Sequence, residues 1–242
     1  MKTLLTFLAL HLSFFAFAQQ HKLDSLYAIW QDQTQTDSIR VDAFSSYAME
    51  GFSQSNPDSA MVLAQVLLNY ANEHRYIRAQ AFAYKIIGYA NLTQTKYTKA
   101  LDNLKKSLKI FEQQNDKRGA APVFTGIGSI YMAKGENAKA IEYYDRAMLI
   151  CEKIGDKSGL AKTLANIASA HTDKDKSLEY FQRSLLLLEE LGDTKNAAAV
   201  EANIGGIYWG QGNEEEALKV YLHSLKTLEE NGDKYFSIPV CI

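Results

Sequence analysis

The chain has 242 residues, with 26 basic and 28 acidic side chains and a formal charge of −2. That balance leaves no basic face of the kind nucleic-acid binding demands, and two cysteines, Cys151 and Cys241, cannot make the disulfide framework that staples small secreted domains. His11, His21, His74, His171 and His223 are scattered with no spacing that sets two on one helical face, so neither a metal site nor a cofactor is expected.

The chain opens on an export pattern. Lys2 supplies a short positive start, Leu4 to Phe15 are apolar except for Thr6, His11 and Ser13, and Ala16-Phe17-Ala18 fits the small-x-small rule of signal peptidase. Residues 1–18 read as a cleaved secretory signal, because they fall short of the roughly 20 apolar residues that a span needs. No cysteine adjoins the cleavage point, which gives no support to a lipid anchor. Loss of Lys2 takes the formal charge from −2 to near −3, and no later apolar run is long enough to cross a membrane. The mature chain is expected to be soluble and exported to the periplasm or cell envelope, with secretion as the alternative. Residues 19–36 follow, where Leu23, Leu26, Tyr27 and Trp30 share one face of a helix expected from His21 to Gln33. This is read as a cap over the first repeat, since the ends of repeat arrays need covers; a docking helix for a partner is the other reading.

From residue 37 the sequence resembles itself. Gly88, Gly128, Ala168 and Gly205 are 40, 40 and 37 residues apart, and Ala60, Ala100, Ala140, Ser177 and Ala217 follow at 40, 40, 37 and 40. Asn115-Asp116, Gly155-Asp156, Gly192-Asp193 and Gly232-Asp233 keep the same rhythm. Five repeats result, at 37–74, 75–116, 117–156, 157–193 and 194–233. Each reads as a helical hairpin: in the third, Val123, Phe124, Ile127, Ile130 and Tyr131 recur at helical spacing, Lys134-Gly135-Glu136-Asn137 breaks the pattern, and Ala140, Ile141, Tyr144, Ala147 and Ile150 resume it. Between hairpins the glycine, or Asn115, is suited to a left-handed stop and the following aspartate to capping the next helix. Asn56-Pro57 is a helix start of the same logic. In the fourth repeat only Asp173-Lys174-Asp175-Lys176 follow His171-Thr172, which places its missing three residues in the inner turn. Small residues mark where helices cross closely, Gly128 against Ala140 with Tyr131 and Tyr144 beside them, and Gly205, Tyr208, Ala217 and Tyr221 in the fifth repeat.

These residues resemble the tetratricopeptide repeat, with Phe124, Ile127-Gly128, Tyr131, Ala140, Tyr144 and Ala147 as the fullest match. The resemblance covers Asp37 to Asp233. Departures are the absent terminal proline, a length of about 40 rather than about 34 residues, Asn91 at a tyrosine position, and Ala168, His171 and Ser177 at the glycine, tyrosine and alanine positions. HEAT and armadillo repeats share the length but not the glycine and alanine pattern. The resemblance implies an all-α, right-handed superhelix (α-solenoid) of stacked antiparallel helix pairs, whose first helices form a concave groove for a protein or peptide ligand. The wall it implies consists of Phe82, Lys85, Tyr89, Thr125, Ser129, Met132, Lys162, Asn166, Ser169, Asn203 and Trp209. Asn166 and Asn203 stand at equivalent places, suited either to bonding a peptide backbone or to bonding their own helix; Trp209 suits either an aromatic anchor or core packing.

Lys234 to Ile242 begin what reads as a sixth repeat, with Tyr235, Phe236, Ile238, Val240 and Ile242 apolar and Pro239 expected to interrupt a helix. The expectation is a longer protein cut short, its bare apolar face open to self-association; a tail folded over the last hairpin is the alternative. No phosphate loop, zinc helix or nucleophile elbow occurs, and Gly126-Ile127-Gly128 lies within a repeat helix with no strand before it. Glu189-Glu190 and Glu214-Glu215-Glu216 read as solvated helix ends. The sequence therefore reads as a non-enzymatic scaffold. The alternatives are the sensor region of a longer membrane-bound histidine kinase or transcriptional regulator, and a subunit of a surface-assembly machine.

Overall fold

The computed structural model describes residues 20–230, so the signal segment and the tail at 234–242 lie outside the described residues. Within that span helix follows helix: α1 at 20–31, α2 Asp37–Phe52, α3 Pro57–His74, α4 Ile77–Thr93, α5 Tyr97–Gln113, α6 Lys117–Ala133, α7 Asn137–Ile154, α8 Lys157–Ala170, α9 Lys174–Glu190, α10 Thr194–Gly210 and α11 Glu214–Glu230. No described helix is long and apolar enough to cross a membrane. The chain divides into two compact units, one through Gly126 and one from Ile127.

The helix ends obey local chemistry. Asn115 (φ 52°), Gly155 (φ 69°) and Gly192 (φ 65°) take the left-handed conformation that stops a helix. The aspartate after each accepts a backbone N–H of the next helix: Asp116 from Gly119 at 2.8 Å, Asp156 from Gly159 at 2.9 Å and Asp193 from Asn196 at 3.2 Å. Asn56 does the same for Ser59 at 3.1 Å, with Pro57 in the first helical position. Two further left-handed residues, Arg75 (φ 51°) and Thr95 (φ 58°), carry no such signal, because neither side chain favours that region.

In the first unit α1 lies against α2 and α3 through Trp30, which is buried with its ring 4.5 Å from Phe44 and 4.9 Å from Tyr70. Arg40 donates to the Trp30 carbonyl at 3.0 Å and covers the indole. Further along, a Cβ on Gly88 would come within 2.6 Å of Leu104, so only glycine admits that approach of α4 to α5. The second unit repeats the device with aromatics, Gly128 facing Tyr144 and Gly205 facing Tyr221. In the fourth hairpin Ala168 replaces the glycine, and Ser177 donates to the Ala168 carbonyl at 2.8 Å. A second pin recurs about two turns beyond the crossing residue in three of the hairpins: buried serines on the second helices donate to alanine carbonyls on the first, Ser107 to Ala81 at 2.7 Å, Ser184 to Ala161 at 2.8 Å and Ser224 to Ala198 at 3.2 Å. A buried hydroxyl left unmated costs about 1–3 kcal/mol, so these pins select the pairing register as well as adding to stability.

The short fourth repeat differs from the sequence expectation. Its inner link still has three residues, His171 to Asp173, as the links of its neighbours do. The loss falls in α8, which has 14 residues where α4, α6 and α10 have 17. Removing close to one helical turn leaves both helices facing as before, whereas removing three residues from a three-residue link would leave nothing to join them. His171 then takes an extended conformation and Asp173 caps α9 through the amides of Asp175 and Lys176.

Thr95 is exposed and β-branched in a region that disfavours it. Thr95→Gly is expected to raise stability by about 1 kcal/mol. That is a shift of roughly 2–4 °C in the thermal midpoint, to be read by circular dichroism; an unchanged or lower midpoint would count against strain at this link.

Candidate functional site

The residues expected along one wall fall into two neighbourhoods. In the first unit, Arg78 from the opening turn of α4 donates to Asp116 at 2.7 Å, to Asp42 of α2 at 2.7 Å and to Ser38 at 3.1 Å, with its guanidinium 4.9 Å from the Phe82 ring centre. Burial opposes its charge, yet the hydrogen bond to Asp116 and the charge of Asp42 outweigh it and hold Arg78 above its ordinary value. Phe82, expected on the open wall, is instead 5% exposed and packs edge-on against Phe111, so it belongs to the hairpin core. Lys85 is half-buried with its ammonium 4.5 Å from the Phe82 ring centre. Burial, aided by the charge of Arg78, pushes Lys85 down to about 8 against the pull of Asp42 and Asp116. Tyr89 is half-buried and donates to the Pro122 carbonyl at 2.6 Å, and Thr125 bonds its own helix at Ala121, 3.3 Å away.

In the second unit Ser129 and Met132 gather on the hydroxyl of Tyr144, at 3.2 and 3.9 Å, and so serve the hairpin interior. Lys162 is exposed and Asn166 half-buried. Ser169, Asn203 and Trp209 come together at a cleft of about 910 Å³ built from the end of α8, the start of α9 and the facing sides of α10 and α11. Its walls are apolar, with Phe181, Ile207, Leu218, Tyr221, Leu222 and Leu225. Its floor is kept low by Ala168, Ala202, Gly206 and Gly210, and polar groups stand among them at His171, Lys174 and Ser177. Trp209 is 48% exposed, so about half of its surface is open rather than packed in the core. Asn203 donates to the Ala199 carbonyl of its own helix at 3.0 Å, and Ser169 to Ala165 at 2.9 Å. Lys174 donates to the Gly210 carbonyl at 2.6 Å, which closes the end of α10 beside the tryptophan.

Sequence reading missed the Arg78 cluster and the apolar strip of α11. The first had a faint signal, since Ser38, Arg78 and Asp116 are about one repeat apart and so bring like places of successive hairpins side by side. The second was visible as Leu218, Leu222 and Leu225 on one helical face. Behind the cleft, the carboxyl of Glu201 is buried, which pushes it up, and His223 opposes this through a 2.6 Å hydrogen bond.

Helix pairs that leave an apolar, partly aromatic cleft rimmed by hydroxyl, amide and amine groups define a helical-repeat binding module. Residues 119–176 and again 172–230 match the family model for the tetratricopeptide repeat. Among curated relatives, the photosystem I assembly protein Ycf3 of Rippkaea orientalis is 30% identical over 87 residues, 36% of this chain and 48% of that protein, so the chain spans about half the length of this relative. Among solved structures, BtubC (BKLC) from P. vanneervenii superposes with a TM-score of 0.68 at 17% identity, over 91% of this chain and 94% of that one. The Rap conjugation gene regulator of the plasmid pLS20, solved in complex with a peptide, superposes with a TM-score of 0.65 at 16% identity, over 84% of this chain and 59% of that one. At such identities the likeness to the solved structures is one of fold.

The displaced titration of Lys85 has a signed consequence. Between about pH 8 and the ordinary lysine range near 10.5, the unfolded chain holds this proton and the folded chain does not, so stability rises with pH across that window. Lys85→Met is expected to abolish this rise and to stabilise the first unit at pH 7. Urea midpoints measured from pH 7 to pH 10 check it; parallel pH profiles for the two proteins would refute the buried-ammonium account.

Proposed function

We propose that this protein is an exported, non-catalytic scaffold that captures a segment of another protein in the cleft of its second unit. The observation that carries the reading is Trp209, a large aromatic left half exposed over an apolar cleft, with Asn203 and Ser169 on the rim. Exposed indoles in such settings anchor partners because they contribute large contact area with little rotamer entropy lost. The asparagine amide offers both a donor and an acceptor to a peptide backbone. A neighbour in fold that holds a peptide supports the choice of ligand class. Peptides selected against the protein from a displayed random library should quench Trp209 fluorescence. Trp209→Ala should weaken them by about 2 kcal/mol, or roughly 30-fold, without loss of helicity. Asn203→Ala should weaken them less. Undiminished binding to both variants would remove the cleft from consideration.

Export rests on the opening eighteen residues, with their positive start, apolar middle and Ala-Phe-Ala end. On this reading the mature protein begins at Gln19 and fractionates with the envelope or medium. Intact-mass measurement of the protein expressed in a bacterial host decides the point, and a chain that keeps residues 1–18 would contradict it.

A further inference from the structure

The cleft beside Trp209 contains a glycine that the hairpin itself does not require. A Cβ on Gly205 would come within 2.6 Å of Tyr221, whereas one on Gly206 would meet nothing nearer than the Tyr221 hydroxyl at 3.8 Å. Glycine inside a helix is destabilising relative to alanine, so the missing side chain serves nothing within the protein's own packing. Gly206 lines the cleft, with Ala202 four residues before it and Gly210 four after. That spacing makes one straight furrow along α10, about 12 Å long.

The facing wall is the apolar strip of α11, where Leu218 is 58%, Leu222 57% and Leu225 38% exposed. Leu218 and Leu225 repeat, 40 residues on, Leu178 and Leu185 of α9, which gather with Ala197, Val200 and Ile204 of α10. The seam between α7 and α8 has the same form, with Ile141 and Met148 beside Ile167 and Ala170. In both established seams a row of large side chains is met by a helix that presents small or branched ones. Leu222 goes beyond this pattern, since α9 has Gln182 at the equivalent place and α7 has Asp145. The strip on α11 is therefore broader than its counterparts.

The polar groups of the cleft select the form of the ligand. Ser169 donates to Ala165, Ser177 to Ala168, the Asn203 amide to Ala199 and Lys174 to Gly210, all of them backbone carbonyls of the protein. An extended segment would bring unpaired N–H and C=O groups into this apolar space, and burying such groups without partners is costly. A helix arrives with its backbone groups already paired among themselves. Charge sets its direction. Among the described residues the lining has two basic side chains, Lys174 and His171, and no acidic one. Both stand at the Gly210 end, where Lys174, and His171 when protonated, suit the partial negative charge at the C-terminus of a second helix.

We propose that the segment captured beside Trp209 is an amphipathic helix of the partner, laid in the Ala202, Gly206 and Gly210 furrow against Leu218, Leu222 and Leu225, with its C-terminal end at Lys174. Its buried face carries alanine, valine or isoleucine, as the faces of α8 and α10 do in their seams. The inference rests on the scaffold reading above and narrows it to one class of ligand.

Two displayed libraries panned against the full chain test it. One varies the face of a frame rich in alanine, glutamate and lysine; the other carries a proline at the centre of every peptide. Peptides whose binding is lost in Trp209→Ala should come from the first library alone and should gain helicity on binding, read by circular dichroism. Gly206→Leu should weaken them at least tenfold, while Gly206→Ala should raise the thermal midpoint of the free protein. A spin label on the last residue of a bound peptide should broaden the amide resonance of Lys174 more than one on its first residue. Trp209-dependent peptides of equal affinity from the proline library would overturn the helix and leave the scaffold reading intact, whereas no Trp209-dependent peptide from either library would remove both. Unchanged affinity in Gly206→Leu, or stronger broadening from the first residue, would also overturn the proposal, as would a dimer of the chain that buries Trp209.

Discussion

A pair of helices can hide only the sides it turns inward, and the rest of this structure follows from that shortage. Each second helix carries an apolar row that meets its own partner and reaches on to the next hairpin, seen as Tyr144 with Ile141 and Met148 on α7 and as Phe181 with Leu178 and Leu185 on α9. Burying one such large side chain contributes about 1.5–3 kcal/mol, so a lone hairpin forfeits several times that by leaving its row wet. The neighbour that covers the row inherits the same problem on its own far side. Stability in each unit is thus held in the seams between hairpins as much as within them.

The seams need close approach, and much of that was legible. Glycine or alanine at the crossings could be read from the repeat, since only a small side chain lets Tyr144 or Tyr221 pass beneath the opposite backbone. The alternation of stop and cap was equally plain, because asparagine, glycine and aspartate each act on the backbone within three residues of themselves. Long-range pins were not legible. Ser107, Ser184 and Ser224 look like ordinary polar residues of amphipathic helices, and only folding brings their hydroxyls to a buried carbonyl 23 or 26 residues away. The missing residues of the fourth repeat were assigned to a turn because turns usually absorb changes of length; the helix absorbed them instead, since three residues are close to one turn and rotate its faces little.

The candidate site was half legible for related reasons. Ser169 and Trp209 line the cleft from the ends of α8 and α10, and Asn203 lines it from midway along α10. Phe82, Ser129 and Met132 sit on similar helix faces but opposite large partners, Phe111 in one case and Tyr144 in the others, and are drawn inward. Periodicity gives the face of a helix; the size of what stands across from it decides whether that face is wall or core. Arg78 adds a constraint of another kind, tying like positions of consecutive hairpins through two carboxylates and so fixing their mutual rotation within the first unit.

The truncated α8 has a wider meaning. Because it gives out a turn early, the extended His171 and the Lys174 amine border an opening beside Trp209 and Gly210, where a full-length helix would bring another turn of side chains. A deletion of three residues can therefore open a cleft between hairpins while the capping pairs stay in place. In such arrays the ledger of binding sites can be edited by slippage in repeat length, without inventing a single new side chain.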